Sequence, residues 1–357
     1  MKKSQSASRL LAPWFLRERR SLPWRDTQDP YRIWVSEIML QQTQVDTVIP
    51  YYQRFVQLYP TVHALAKAEL ESVLKAWEGL GYYARARNLH RAARDVVAGG
   101  GEVPSTWEGI RNLPGVGDYT AGAILSMAFG QAVEAVDGNV RRVLSRLFAE
   151  GGDPRQPETQ QRLREQARLL VTAVGVDPSL HNQAMMELGA LVCLPRRPRC
   201  EACPVARVCR AHEEGQPEMY PMRVARRKTP HYPVAVGAIY DGQGRLLIGL
   251  RPPKGLLGGL WELPGGKIEA GETAAEALQR EAREELGIEI AVGEALPTVF
   301  HAYTHFKVTL HPFRCRWVSG EPRPIAVDEF RWVQPSELDR YPFPKANKTI
   351  LERLEGV

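Results

Sequence analysis

Apolar residues recur at three- and four-residue intervals over roughly the first 200 positions, the period of helices that bury one face. Leu10, Leu11, Trp14, Phe15 and Leu16 mark a first amphipathic helix. Val140, Val143, Leu144 and Leu147, then Leu163, Ala167, Leu170 and Val171, repeat the pattern. Tyr31 to Val45 reads as one mostly buried helix, with further helices over about 47–58, 69–77 and 82–98. After about residue 211 the period changes. A polar, basic stretch leads into strand-like runs at Tyr232–Tyr240, Arg245–Leu250, Val308–Val318 and Glu329–Val333, with one helical period over about 273–286. The pattern predicts an all-α domain over 1–215, a linker over 216–231 and an α/β domain over 232–357.

Composition narrows the class. The chain has 357 residues, 44% hydrophobic and 25% charged, as in soluble folded proteins. Its net charge of +6 and pI near 9.1 suit a polyanionic partner. No stretch resembles a secretion signal or a membrane span, so a cytoplasmic protein without membrane contact is expected. Five cysteines, four of them clustered, then argue for a metal site over disulfides.

The densest chemistry lies between Leu113 and Asn139. Gly115-Val116-Gly117 is a tight turn ahead of a helix from Thr120 to Phe129, so its amides and the helix's positive end suit one phosphate. Asp137 follows, a carboxylate before the next helix at Val140, either placed for chemistry or capping that helix. Glu37 has Ile33, Trp34, Leu40 and Gln41 as helical neighbours. On so apolar a face a carboxyl is held protonated towards neutral pH and can give up a proton, or is a structural carboxylate paired with an arginine. Gln42 ends the same run with an amide able to read a base edge or lie in solvent.

Trp24 beside Arg25 is either core or a wall for a base. Tyr82, Arg85 and Arg87, next to the Gly79-Leu80-Gly81 turn, suit stacking in an opened base step with phosphate neutralisation, or form a helix start with exposed basic residues. Gln183 and Glu187 share one helical face. Cys193, Cys200, Cys203 and Cys209 are spaced C-x6-C-x2-C-x5-C; four thiolates suit zinc or an iron–sulfur cluster, and the uneven loops suit the cluster better. Cys315 reads as core.

Over some 215 residues the chain resembles the helix-hairpin-helix DNA glycosylases, and among them the MutY-type adenine glycosylases. The residues are LPGVG with Asp137 downstream, the cysteine spacing, and SEIMLQQTQV, GLGYYARARNLH, VDGNV and NQAMMELG. The resemblance implies that Glu37 is the catalytic acid, Asp137 the carboxylate facing the sugar cation, and the four cysteines the ligands of a [4Fe–4S] cluster. Tyr119 stands where endonuclease III-type lyases carry a lysine, which points to base removal without strand cleavage. Tyr119 and Asn139 would support the cation and the entering water. Gly115, Val116 and Gly117 would grip DNA phosphate, with Tyr82 and Gln42 filling the opened duplex.

Residues 232–357 resemble the Nudix hydrolases through a complete box, Gly266-x5-Glu272-x7-Arg280-Glu281-x2-Glu284-Glu285-x-Gly287. Glu281, Glu284 and Glu285 on one helical face suit Mg2+. Phe343-Pro344-Lys345-Ala346-Asn347 and Tyr303-Thr304-His305 resemble elements that recognise oxidised guanine, implicating Asn347, Thr304 and His305. The implied protein is a monomer that excises adenine opposite 8-oxoguanine or guanine from double-stranded DNA. The intact box leaves open a second, hydrolytic activity.

Overall fold

The computed structural model describes residues 2–173, 175–222, 229–255, 257–303 and 306–355. It divides into two compact units, Met1–Lys67 with Asn88–Arg226, and Ala68–Arg87 with Arg227–Val357. The helices are α1 (Lys2–Glu18), α2 (Pro30–Leu40), α3 (Val45–Leu58), α4 (Val62–Lys67), α5 (Leu70–Ala76), α6 (Ala84–Ala98), α7 (Trp107–Arg111), α8 (Asp118–Phe129), α9 (Gly138–Leu147), α10 (Pro157–Val171), α11 (Pro178–Leu191), α12 (Arg210–Glu213), α13 (Ala274–Leu286) and α14 (Lys345–Glu355). The strands are β1 (His231–Tyr240), β2 (Leu246–Leu250), β3 (Trp261–Glu262), β4 (Glu289–Ala295), β5 (Val299–Ala302), β6 (Lys307–Ser319) and β7 (Glu329–Val333). Of the linker read over 216–231, residues 223–228 lie outside the described residues.

In the first unit α1, α9, α10 and α11 share a core that includes Leu11, Phe15, Leu144, Leu170 and Leu188. The buried stripe of α1 is Ala7, Leu11, Trp14 and Phe15, spaced i, i+4, i+7 and i+8. Leu10 and Leu16, expected on that face, are 42% and 56% exposed because they lie off the stripe. The helix expected to reach Val45 ends at Leu40. Four consecutive polar residues give it no further face to bury, and Gln42 turns the chain with φ +58° before α3 begins. Asp29 caps the N-terminus of α2 by accepting from the Tyr31 and Arg32 amides.

In the second unit the described strands form one mixed sheet. Strand β1 runs parallel to β6 and antiparallel to β2; β2 also pairs with β3 and β7, and β6 with β4 and β5. Alternation along β1 sends Ala235 and Ile239 to the α13 face, with Leu278 and Leu286, and Val236 and Ala238 to the α14 face, with Ala346 and Ile350. Helix α13 opens with a Thr273–Glu276 capping box and stops at left-handed Gly287. Cys315 is buried in the α13-side core. The two-residue β3, the register-shifted β4 and the short β5 carry little period of their own, and α14 lies outside the elements expected from the sequence although Ala346, Ile350, Leu351 and Leu354 keep a helical spacing. Residues 68–87 cluster with this sheet because Trp261 Nε1 donates to Glu71 Oε1 at 2.6 Å and Lys75 Nζ to the Tyr341 carbonyl at 3.2 Å. Among the described residues no helix is long and apolar enough to cross a membrane.

Candidate active site

One cleft of the first unit collects side chains from the loop after α1, from α2, from the glycine turn before α8, from the start of α9 and from α11. Glu37 is on its wall, only 3% exposed, because the helix that carries it is buried on both neighbouring turns. The Tyr119 hydroxyl donates to Glu37 Oε2 at 2.5 Å and lies 3.6 Å from Met186 Sδ. Burial pushes the Glu37 carboxyl up to about 7; the Tyr119 bond opposes that push, nearby Asp137 adds to it, and Arg25 opposes it.

Asp137 caps α9 and faces the same cleft. Its Oδ1 accepts from the Val140 amide at 2.6 Å and its Oδ2 from Asn139 Nδ2 at 3.2 Å. Burial raises its carboxyl above the usual range, while the Val140 and Asn139 amides and the Arg142 charge pull it back. The capping and chemical readings of Asp137 are compatible, since the N-terminus of a helix favours the ionised form.

At the cleft's edge Gly115 has φ +79°, and a Cβ there would come within 2.8 Å of the Asn88 side chain. Gly117, the N-cap of α8, has extended backbone and open space around it, so a bare glycine leaves the helix's first amides uncovered. Val116 between them is buried. Asp118, in the first turn, is paired with Arg111 at 2.6 Å and Arg164 at 2.6 Å, which neutralises a carboxylate that would repel phosphate.

Trp24 is both buried and cleft-lining, edge-on to Tyr52 at 5.2 Å. Gln42 is exposed at the cleft mouth. Gln183 donates to Ser179 Oγ at 3.2 Å. Glu187 is held by two guanidiniums: Arg20 Nη2 at 2.7 Å and Arg25 Nη2 at 2.8 Å. Burial alone would raise its carboxyl, but these bonds outweigh it and hold it at about 2. The partnership of Arg20 with Glu187 was not legible in the sequence, because nothing local joins residues so far apart. Gln41, the first amide of the Gln41–Gln44 run, donates through Nε2 to Thr120 Oγ1 at 3.2 Å.

Cys193, Cys200, Cys203 and Cys209 line one pocket with Arg146, whose Nη1 donates to Cys193 Sγ at 3.3 Å. Among the described residues no three His, Cys, Asp or Glu side chains converge as a single-ion site.

In the second unit Tyr82 is 39% exposed with φ +50° at the end of a Gly79–Gly81 turn. Arg85 is buried, packed over the Trp77 and Tyr82 rings at 5.4 and 5.3 Å, and donates to the Gly81 carbonyl at 3.0 Å. Arg87 donates to the Gly258 carbonyl. A pocket on the sheet face is lined by Arg251, Glu262, Glu281, Glu285, Tyr303 and Asn347. Asn347 Oδ1 accepts from the Leu263 amide at 2.8 Å. Burial, then the charge of Glu262, pushes Glu285 up to about 8. Glu284 is on the exposed side, 3.0 Å from Arg280, which also holds Glu272 and Glu281. Thr304 and His305 lie outside the described residues.

Residues 35–168 match the family model of the HhH-GPD superfamily base excision DNA repair proteins, and residues 235–353 that of the NUDIX domain. The adenine DNA glycosylase of Homo sapiens is 38% identical over 97% of this chain and 73% of its own length. The chain belongs to the adenine DNA glycosylases. The Rattus norvegicus adenine DNA glycosylase is 36% identical over 97% of this chain and 77% of its own. A solved thermostable thymine-DNA glycosylase matches 60% of this chain and 98% of its own at 32% identity, with a TM-score of 0.55. As a member of the adenine DNA glycosylases the chain is a DNA N-glycosylase with a C-terminal Nudix domain.

Proposed function

We propose that the protein is a monofunctional glycosylase that excises adenine opposite 8-oxoguanine or guanine from double-stranded DNA, working as a monomer. The observation that carries this reading is the buried Glu37–Tyr119 pair in one cleft with Asp137. A base must leave the stack to reach so enclosed a carboxyl. Glu37, protonated near neutral pH, donates to adenine N7 and makes the base a neutral leaving group. Asp137, whose carboxylate accepts from the Val140 and Asn139 amides, stabilises the sugar cation. Tyr119 and Asn139 hold these two carboxyl groups, and the phenol at 119 offers no amine for a Schiff base.

Gly115, Val116 and Gly117 grip a phosphate through backbone amides. Trp24 walls the pocket, and Gln42 and Tyr82 are each candidates to fill or wedge the opened duplex. Gln183 touches the base edge, while Glu187 acts by setting Arg25 and Arg20 on the wall. Arg85 acts by bracing the turn that presents Tyr82, and Arg87 by holding the Gly258 carbonyl. Four thiols around one pocket fit a [4Fe–4S] cluster on Cys193, Cys200, Cys203 and Cys209. Bound there, the cluster would brace the basic loop that carries Arg196, Arg197 and Arg199.

In the C-terminal domain Asn347, with Thr304 and His305, reads the oxidised guanine. Glu262, Glu281 and Glu285 line one pocket, and burial with the charge of Glu262 raises Glu285 to about 8, which favours a second reading: these carboxylates would have to draw together to hold Mg2+, which would supply the charge neutralisation for the intact box to hydrolyse a nucleoside triphosphate. Glu284 would have to leave Arg280 to join them.

Glu37→Gln tests the main reading. Single-turnover adenine release from an adenine·8-oxoguanine duplex should vanish while binding persists; near-normal release would refute the acid. For the second, 8-oxo-dGTP with Mg2+ should yield monophosphate, lost in Glu285→Gln; no metal-dependent product leaves the domain a reader.

A further inference from the structure

Residues 68–87 lie in the first half of the sequence yet belong to the C-terminal unit, and two of their side chains hold the backbone of one residue there, Phe343. Glu78 Oε1 accepts from the Phe343 amide at 3.0 Å. The Tyr83 hydroxyl donates to the Phe343 carbonyl at 3.4 Å and accepts from the Gly79 amide at 3.2 Å. Both backbone polar groups of a buried residue are thus held by a segment only six residues long. Glu78 Oε2 adds Lys348 Nζ at 3.3 Å and Lys75 Nζ at 2.8 Å, tying the turn to α14 as well as to its own helix.

What lies at the two ends of this clamp gives it meaning. Four residues beyond Phe343 is Asn347, which lines the sheet-face pocket and is fixed through Leu263. One residue after Glu78 begins a turn in which Gly79, Gly81 and Tyr82 have φ of +94°, +76° and +50°. Left-handed backbone at a tyrosine persists only where its surroundings impose it. Here the Gly81 carbonyl accepts from Trp77 Nε1 at 3.1 Å and from Arg85 Nη2 at 3.0 Å, and the Arg85 guanidinium lies over the Tyr82 ring.

We propose that Glu78 is a positioning residue that couples the base read in the Asn347 pocket to entry of Tyr82 into the duplex, by clamping the Phe343 backbone to the Gly79–Tyr82 turn. This rests on the functional reading above for the roles of Asn347 and Tyr82. A shift of the Phe343–Asn347 element on accommodating the correct base moves the turn with it, since rigid hydrogen-bonded contacts pass displacement on. Glu78 touches neither substrate nor reacting atoms.

The test compares single-turnover adenine release from adenine·8-oxoguanine and adenine·guanine duplexes, with 2-aminopurine beside the target adenine to follow unstacking. Glu78→Ala removes the clamp. The preference for 8-oxoguanine should fall about tenfold or more, the size of one lost charge-assisted hydrogen bond. Release from adenine·guanine should stay within about twofold, because without the lesion there is no signal to transmit. The fluorescence rise should lose its dependence on the opposite base. Glu78→Gln, which still offers an oxygen to the Phe343 amide, should restore most of the preference; if the alanine variant unfolds, Tyr83→Phe, which removes the bond to the Phe343 carbonyl, carries the test, and an unchanged preference in it overturns the coupling. An unchanged preference in a folded Glu78→Ala protein overturns the coupling. Tyr82→Ala and Asn347→Ala run alongside it. If neither alters unstacking or preference, the underlying reading fails and takes the coupling with it. If both do and Glu78→Ala does not, the coupling alone is wrong.

Discussion

The Tyr119 hydroxyl donates to Glu37 Oε2 at 2.5 Å, so the first turn of α8 holds the buried carboxyl of α2. The bond favours the Glu37 anion, in opposition to burial. Two consequences for pH follow from that balance.

Base release should fall as pH rises through about 7, where Glu37 loses its proton. Tyr119→Phe removes the bond that stabilises the anion and should move this descending limb to higher pH. Single-turnover pH profiles of the two proteins decide it; an unmoved or lowered limb contradicts the assignment.

The same group sets a stability trend. Its folded pKa of about 7 lies above the ordinary 4.5, so its contribution is complete below about 4.5 and is lost as pH rises through about 7. Glu37→Gln, neutral throughout, should be more stable than the parent at pH 8 by up to about 3 kcal/mol and level with it near pH 4. Urea unfolding at both pH values measures the difference.

Glu187 works in the opposite sense. Held at about 2 by Arg20 and Arg25, it adds stability above about 4.5 that is lost as pH falls towards 2. Glu187→Gln should cost about 3 kcal/mol at pH 7, as expected for breaking a buried pair, with the gap closing in acid. A constant gap between pH 7 and pH 2.5 would show that the loss is one of packing.

The two hairpin glycines should separate by readout. Gly115→Ala places a methyl against Asn88 on left-handed backbone and should lose about 1–2 kcal/mol of stability. Gly117→Ala meets open space on extended backbone and should keep its stability while weakening duplex binding, seen by fluorescence anisotropy at fixed salt.

Much of this was legible along the chain. The helical and strand periods divide the sequence near residue 211. The buried face around Glu37 follows from Ile33, Trp34 and Leu40 alone, because helical neighbours are fixed by spacing. The helix over 274–286 was placed within a residue by its helical period. Short strands were missed, since β3 and β5 gain their order from pairing with β2 and β6 and carry little period of their own.

By itself the sequence determined most of the element types and singled out the hairpin glycines, Glu37, Asp137 and the four cysteines as candidates, since these rest on local spacing. Only the tertiary structure decided that Tyr119 bonds to Glu37, that Glu187 is spent on Arg20 and Arg25, and that residues 68–87 pack with the C-terminal sheet. Each of these is a contact between distant positions. Whether such groups are charged, buried or partnered depends on what the fold brings within hydrogen-bond reach, which spacing along the chain does not encode.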